Sequence, residues 1–353
     1  MAAPTAQCLA AAAAASAVSA AVAWTRPAPG LALAAALTAL SALAALAATA
    51  PAPAAAPAPQ DEPILPVPLT LHADPARAAL GRRLFNDVRL SANGRVSCAS
   101  CHDLSHGGAD SRPRSAGHDG RFTELNTPTV LNAALNFRQF WDGRAATLED
   151  QIEQVVQNPV EMGSTWPAVV AKVARDGGYG QAFGAIYRDG VTAVNIRDAL
   201  ASYERTLITP NSRFDQYLRG DRNAITAAEK TGYAKFKQYG CVACHQGVNV
   251  GGNMFQKFGV MGDYFAQRGG ARPSDLGRYR QTHKADDLHV FKVPGLRNVA
   301  GTAPYFHDAS AATLDQAIDV MFRYQLGRVG SKEDKAFIAQ FLATLSSAPL
   351  GAP

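Results

Sequence analysis

Cys98-Ala99-Ser100-Cys101-His102 decides how this chain is to be read. Cys-x-x-Cys-His is the sequence to which a c-type haem is attached: the two thiols add to the porphyrin vinyl groups and the adjacent imidazole binds the iron. The pattern returns once, as Cys241-Val242-Ala243-Cys244-His245. These motifs take four of the five cysteines and leave only Cys8, so no pair remains for a structural disulfide. Two Cys-x-x-Cys pairs can also hold zinc. The His that directly follows each pair, behind an export leader, favours two covalent haems instead.

That leader lies at the N-terminus. Arg26 is the one charged residue before Asp61. It precedes an uncharged run rich in Leu and Ala, Leu31 to Ala48, and Ala48-Thr49-Ala50 then offers a small-residue cleavage site. Residues 1–50 read as a signal peptide and place the mature protein in the periplasm; the apolar run also approaches the length of an uncleaved membrane anchor. Pro51 to Pro59 holds only Ala and Pro, so 51–62 reads as a stiff linker. The full chain of 353 residues has a net charge of +5 with no basic stripe, which gives nucleic-acid binding no support.

Length suggests about two domains. Ala76, Ala79, Leu80, Leu84 and Val88 share one face of a helix predicted over Pro75 to Arg89, just ahead of the first motif. Val130 to Phe137 has helical spacing. Thr147–Gln157, Pro167–Arg175, Thr192–Leu207, Thr226–Gln238, Thr313–Tyr324 and Ser331–Leu345 also read as helices, several with capping residues. Residues 246–300 look Gly-rich and irregular. A helix leads into each motif, and Gly220-Asp221 marks a boundary. The expected fold is mainly α: two cytochrome c-like domains, 63–220 and 221–353, each with one covalently attached c-type haem.

What sits opposite each His sets the chemistry. A thioether raises the reduction potential, a second imidazole lowers it, and an open face admits a substrate. His118, in a flexible Gly-rich loop, is an imidazole candidate for the first haem, beside His106 and the distant His72. Met254, Met261 and Met321 are thioether candidates for the second. Peroxide chemistry needs a distal group that takes and returns a proton. Glu161 is a candidate, unless it is a surface or capping Glu, and Trp141 is a rare aromatic that simple core burial would also explain.

Several segments together resemble a known family. They are Leu80-Gly81-Arg82-Arg83-Leu84-Phe85, both haem motifs, Asn126-Thr127-Pro128-Thr129-Val130, Gln139-Phe140-Trp141-Asp142-Gly143-Arg144-Ala145, Asn158-Pro159-Val160-Glu161-Met162-Gly163, Phe291-Lys292-Val293-Pro294 and Pro304-Tyr305-Phe306-His307-Asp308. In this order they resemble the bacterial dihaem cytochrome c peroxidases and the related dihaem enzyme of methylamine utilisation. The resemblance implies that His118 is a displaceable ligand of an N-terminal peroxidatic haem. It makes Glu161 the distal acid/base with Gln151 beside it, Trp141 the aromatic between the haems, and Met321 the sixth ligand of a C-terminal electron-transfer haem. It also implies Ca²⁺ held by Asn126, Thr302 and Pro304, oxygen ligands of the kind that ion takes. Hydrogen peroxide would be the substrate, a small cytochrome c or cupredoxin the electron donor, and a homodimer the assembly. Ala309 departs from the usual Gly after Phe306-His307-Asp308. The methylamine enzyme has Tyr where Met321 stands, so Met321 favours a peroxidase. The competing expectations are a non-catalytic dihaem electron carrier and a dihaem oxidase of a protein or organic substrate.

Overall fold

The computed structural model describes residues 62–349. The predicted leader, 1–50, and the linker up to residue 61 lie outside the described residues. The fold is mainly helical. Its longer helices are α1 (Pro75–Phe85), α2 (Leu148–Gln157), α3 (Trp166–Ala174), α4 (Gly177–Ile186), α5 (Ala193–Thr206), α6 (Arg213–Leu218), α7 (Ala227–Gln238), α8 (Leu314–Val320) and α9 (Lys332–Ala343). A two-stranded antiparallel ribbon, β1 (Phe255–Lys257) and β2 (Val290–Lys292), pairs Gln256 with Phe291.

The helix starts follow their caps. Asp74 accepts hydrogen bonds from the backbone of Ala76 and Arg77 ahead of α1, with Pro75 in the first turn where its missing N–H costs nothing. Thr147 and Asp150 form a capping box at α2, and Thr226 and Glu229 do the same at α7. α8 passes into a wider π-helical turn over Met321–Gln325, a feature common at functional sites.

Two cores organise the chain. Leu80, Leu84, Phe85, Ile152, Phe183 and Leu200 belong to one; Phe214, Tyr233, Phe236, Ile318, Phe322 and Phe341 belong to the other. Each is built on a crossed helix pair, α1 on α5 and α7 on α9. The backbones approach so closely that a Cβ on Gly81 would stand 1.9 Å from the Ala199 carbonyl oxygen. One on Gly232 would stand 1.9 Å from that of Phe337. A third, small cluster of Tyr264, Phe265 and Phe291 packs against Trp141 and Phe258.

Two expectations need correction. The helix predicted to Arg89 ends at Phe85, where Asn86 caps it. Val130 to Phe137 is not a helix but a turn around Ala133–Leu135, because Asn132 stands in the left-handed region (φ 60°) and exchanges hydrogen bonds with Thr209. α4 and α6 have no counterpart among the expected helices; burial of Tyr179 and Phe183 holds α4 despite the weak propensity of its Gly-Gly-Tyr-Gly start.

Candidate active site

Each motif opens with a single 3₁₀ turn, Cys98–Ser100 and Cys241–Ala243, two residues ahead of its histidine. His102 N–H donates to Cys98 O at 3.0 Å, and His245 N–H to Cys241 O at 2.9 Å. The rings are oriented alike. His102 Nδ1 donates to Gly108 O (3.1 Å) and His245 Nδ1 to Val250 O (3.2 Å), because a carbonyl can only accept. That tautomer leaves each Nε2 lone pair free for a metal. Burial pushes both imidazoles down, His245 to about 4, and so keeps them in the neutral form that binds iron.

His245 opens onto a cavity of about 230 Å³ lined by Cys241, Cys244, Phe236, Phe322, Leu342 and, among others, Met321. Of the thioether candidates, Met321 alone faces it; Met261 is 61% exposed and Met254 is absent from the lining. Two thiols, an imidazole with a free Nε2, a thioether and apolar walls fit an attached porphyrin.

His102 opens onto a larger cavity of about 650 Å³. Glu161, Gln151 and Trp141 all line it, with Val155, Glu204 and Arg144. Glu161 Oε2 is buried and has no hydrogen-bond partner, and burial pushes the carboxyl up to about 7 against the pull of Arg144. It is a proton-bearing group near neutrality, aimed at no protein acceptor. Sequence reasoning missed Glu204, a second acid on this wall, which burial pushes up to about 8. Trp141 lines both cavities, as do Asn126 to Thr129, so it stands where the two meet.

His118 is not brought into the cavity. Its Nε2 donates to Pro159 O at 3.2 Å, so that nitrogen carries a proton, and the ring lies against Gly163, where a Cβ would stand 2.2 Å from Nε2. Its loop is fastened to the Glu161 segment: His118 N–H donates to Glu161 O at 2.8 Å, and Gly117 passes so near Val160 O that a Cβ would stand 1.6 Å away. His106 is exposed and bonded to Asp103. His72 lines neither cavity.

The expected calcium positions lie on the second cavity's wall. Asn126 donates its N–H to His307 O (2.8 Å) and its Nδ2 to Arg112 O (2.8 Å), and its own carbonyl accepts from Trp141 Nε1 (2.9 Å). Pro304 follows a cis bond from Ala303, and Thr302 precedes that pair. The one acidic cluster of metal-ligand size among the described residues, Asp275, His307 and Asp308, is held by Arg268, which pairs with both carboxylates. Its chemistry is that of an ion-pair network.

The structure also exposes a repeat that relates the two cavities. Residues 126–155 recur at 292–321, each mate 166 positions later: Pro128 with Pro294, Phe140-Trp141-Asp142 with Phe306-His307-Asp308, Ala145-Ala146-Thr147-Leu148 with Ala311-Ala312-Thr313-Leu314. Asn132 and Asn298 share a left-handed backbone with φ 60°, and Phe140 and Phe306 have φ 67° and 73°. The halves interlock reciprocally. Asn126 N–H donates to His307 O while Lys292 N–H donates to Trp141 O, both at 2.8 Å. The rings of Trp141 and His307 meet edge to face at 6.3 Å. In this register the mate of Met321 is Val155: the first cavity carries an inert side chain where the second carries sulfur.

The sequence model of the di-haem cytochrome c peroxidases matches residues 75–223. Cytochrome c peroxidase Ccp of Escherichia coli K12 is 45% identical over 81% of this chain, which spans 62% of that relative's length. Cytochrome c551 peroxidase of Nitrosomonas europaea is 44% identical over 81% of this chain and 84% of its own. The chain belongs to the di-haem cytochrome c peroxidase family. Among solved structures it is similar to a MauG-like protein associated with microbial copper homeostasis, with a TM-score of 0.71 and 28% identity, covering 83% of this chain and 96% of that one. The family makes the chain a haem-dependent oxidoreductase, a cytochrome c peroxidase in class, and the two motif cavities are where haem fits.

Proposed function

We propose that the chain reduces hydrogen peroxide to water in the periplasm with electrons from a small cytochrome c or cupredoxin, and that its two cavities divide the labour. Bound haems would supply redox-active iron in both cavities, attached through Cys98 and Cys101 in a domain over 63–220 and through Cys241 and Cys244 in one over 221–353. His102 and His245 would each hold an iron through Nε2. Met321 would supply a thioether to the iron in the electron-accepting cavity.

In the first cavity the protein's own groups handle the proton. Glu161 takes it from one peroxide oxygen and returns it to the leaving one, a task suited to a carboxyl held near neutrality. Gln151 orients the peroxide by hydrogen bonding. Val155 keeps the distal side open, where a thioether would block it. Trp141, on both cavity walls, links the sites for electron transfer.

His118 is the gate. Its place beside Pro159 is the open position, and rotation of the ring toward the cavity would close the site. Asn126, Thr302 and Pro304 would hold Ca²⁺, which would supply a fixed positive charge at the seam where Asn126 O accepts from Trp141 Nε1. The working assembly is a homodimer, and residues 1–50 direct export.

One observation carries the reading: Glu161 sits in the wall of the cavity that holds Cys98, Cys101 and His102, with a buried carboxylate oxygen that no protein group uses. The test is a steady-state assay with peroxide and reduced cytochrome c, calcium present, with and without prior half-reduction. Peroxide-dependent donor oxidation is expected. A protein that carries both haems and oxidises no donor under either condition is an electron carrier, and the reading fails.

A further inference from the structure

Lys292 is only 7% exposed and lies on the wall of the second cavity. A lysine buried to this degree is ordinarily paired. Arg297, the comparably buried cation, is: it meets Asp215 at 2.9 Å. Lys292 is not. Among the described residues no side chain bonds its ammonium, and burial, with no anion to oppose it, pushes the group down to about 8. Its backbone is fixed at both sides, by pairing with Phe255 in the ribbon and by the hydrogen bond to Trp141 O. The side chain is thus committed to the cavity by the strand that carries it. Its mate in the repeat is Asn126, so the cation is particular to the second half.

A buried ammonium without a partner is costly, and the cost is removed if an anion enters with the ligand. A porphyrin of the haem type carries such an anion, as propionate carboxylates. We propose that Lys292 is the counter-charge of the haem attached at Cys241 and Cys244, holding a propionate and making that haem easier to reduce. The inference rests on the reading of this cavity as a haem site. A fixed positive charge beside a haem favours its ferrous form and is one of the protein's levers on potential. It acts in the same direction as the Met321 thioether.

The test compares full-length, haem-loaded Lys292→Gln, Lys292→Met and Lys292→Arg with the unaltered protein by spectroelectrochemical titration at fixed pH with calcium. In the Gln and Met variants the midpoint of the Met321-ligated haem should fall while the other haem's midpoint holds. Arg, which keeps the charge, should restore it. An unchanged midpoint in a Gln or Met variant that carries two haems overturns the proposal. If neither variant accumulates, the propionate bending band in the resonance Raman spectrum of the unaltered protein decides: a band at the position of unpaired propionates overturns the proposal, and a shifted one supports it. A count of one attached haem per chain would instead sink the haem-site reading itself.

Discussion

Glu161→Gln is the sharpest probe of the proton-handling role. The swap preserves shape and removes only the capacity to carry a proton between two oxygens. The geometry limits the side effects. Glu161 Oε2 has no partner to lose, and the backbone bond from His118 to Glu161 O does not involve the side chain. Burial already disfavours the charged carboxylate, so the neutral amide should not lower the melting temperature. A positioned acid/base contributes about 10²–10⁴ in rate, which is about 2.7–5.4 kcal/mol of barrier at 1.36 kcal/mol per tenfold. The assay is kcat for peroxide with reduced cytochrome c, after half-reduction with calcium, normalised to haem content. The expected result is loss of at least roughly 10² with both haem spectra and the second midpoint unchanged. A variant that turns over within about fivefold of the unaltered enzyme, far less than that range, would assign the proton to another group, and Glu204 would be the next to test.

The repeat predicts that Val155→Met brings a thioether to the first cavity, giving a low-spin, Met-type spectrum and greatly reduced turnover; a high-spin, active variant would show that the register does not carry the ligand position. Gly163→Ala, whose Cβ would lie 2.2 Å from His118 Nε2, should push the ring from its perch and lengthen the activation lag. His118→Gly should abolish that lag, and a lag that survives in stopped-flow traces removes His118 as the gate. Met321→His should lower the potential of the second haem, and an unchanged redox titration would pass the ligand role to Met254 or Met261. Gly232→Ala drives a methyl into the Phe337 carbonyl oxygen, and overpacking of this kind should cost about 1–3 kcal/mol or more in chemical denaturation.

What was legible in the sequence follows from what each signal encodes. A Cys-x-x-Cys-His motif is contiguous because c-type attachment takes two thioethers and a ligand from one turn of chain, so it announces itself. Capped helices such as α2 and α7 are equally local, since the cap and its target lie three residues apart. α4 was hidden because its evidence is tertiary: Tyr179 and Phe183 earn their helix by burial against the core, not by propensity. The turn at Asn132 was hidden for the same reason, its αL backbone being held by Thr209 from far along the chain. Glu161 and Trp141 could be picked out as candidates, but only the fold puts one in the wall of the first cavity and the other in the walls of both.

The 126–155/292–321 repeat sharpens the functional argument, because it is a comparison the molecule makes with itself. The scaffold is held constant across the two halves: the proline strand, the left-handed Asn, the Phe-x-Asp turn and the capped helix all recur. Differences at matched positions are then the informative ones. Met321 against Val155 puts sulfur on the wall of one cavity and an inert side chain on the wall of the other. Lys292 against Asn126 puts a buried cation in one half and an amide at the seam in the other. Trp141 against His307 places an oxidisable indole opposite an imidazole tied to Asp275 at 2.8 Å. A pure electron carrier has no need of such differences, since two equally closed haems would pass an electron as well. Inert Val155, with the unpartnered acid Glu161 on the same wall, is what a carrier leaves unexplained and a peroxidase requires.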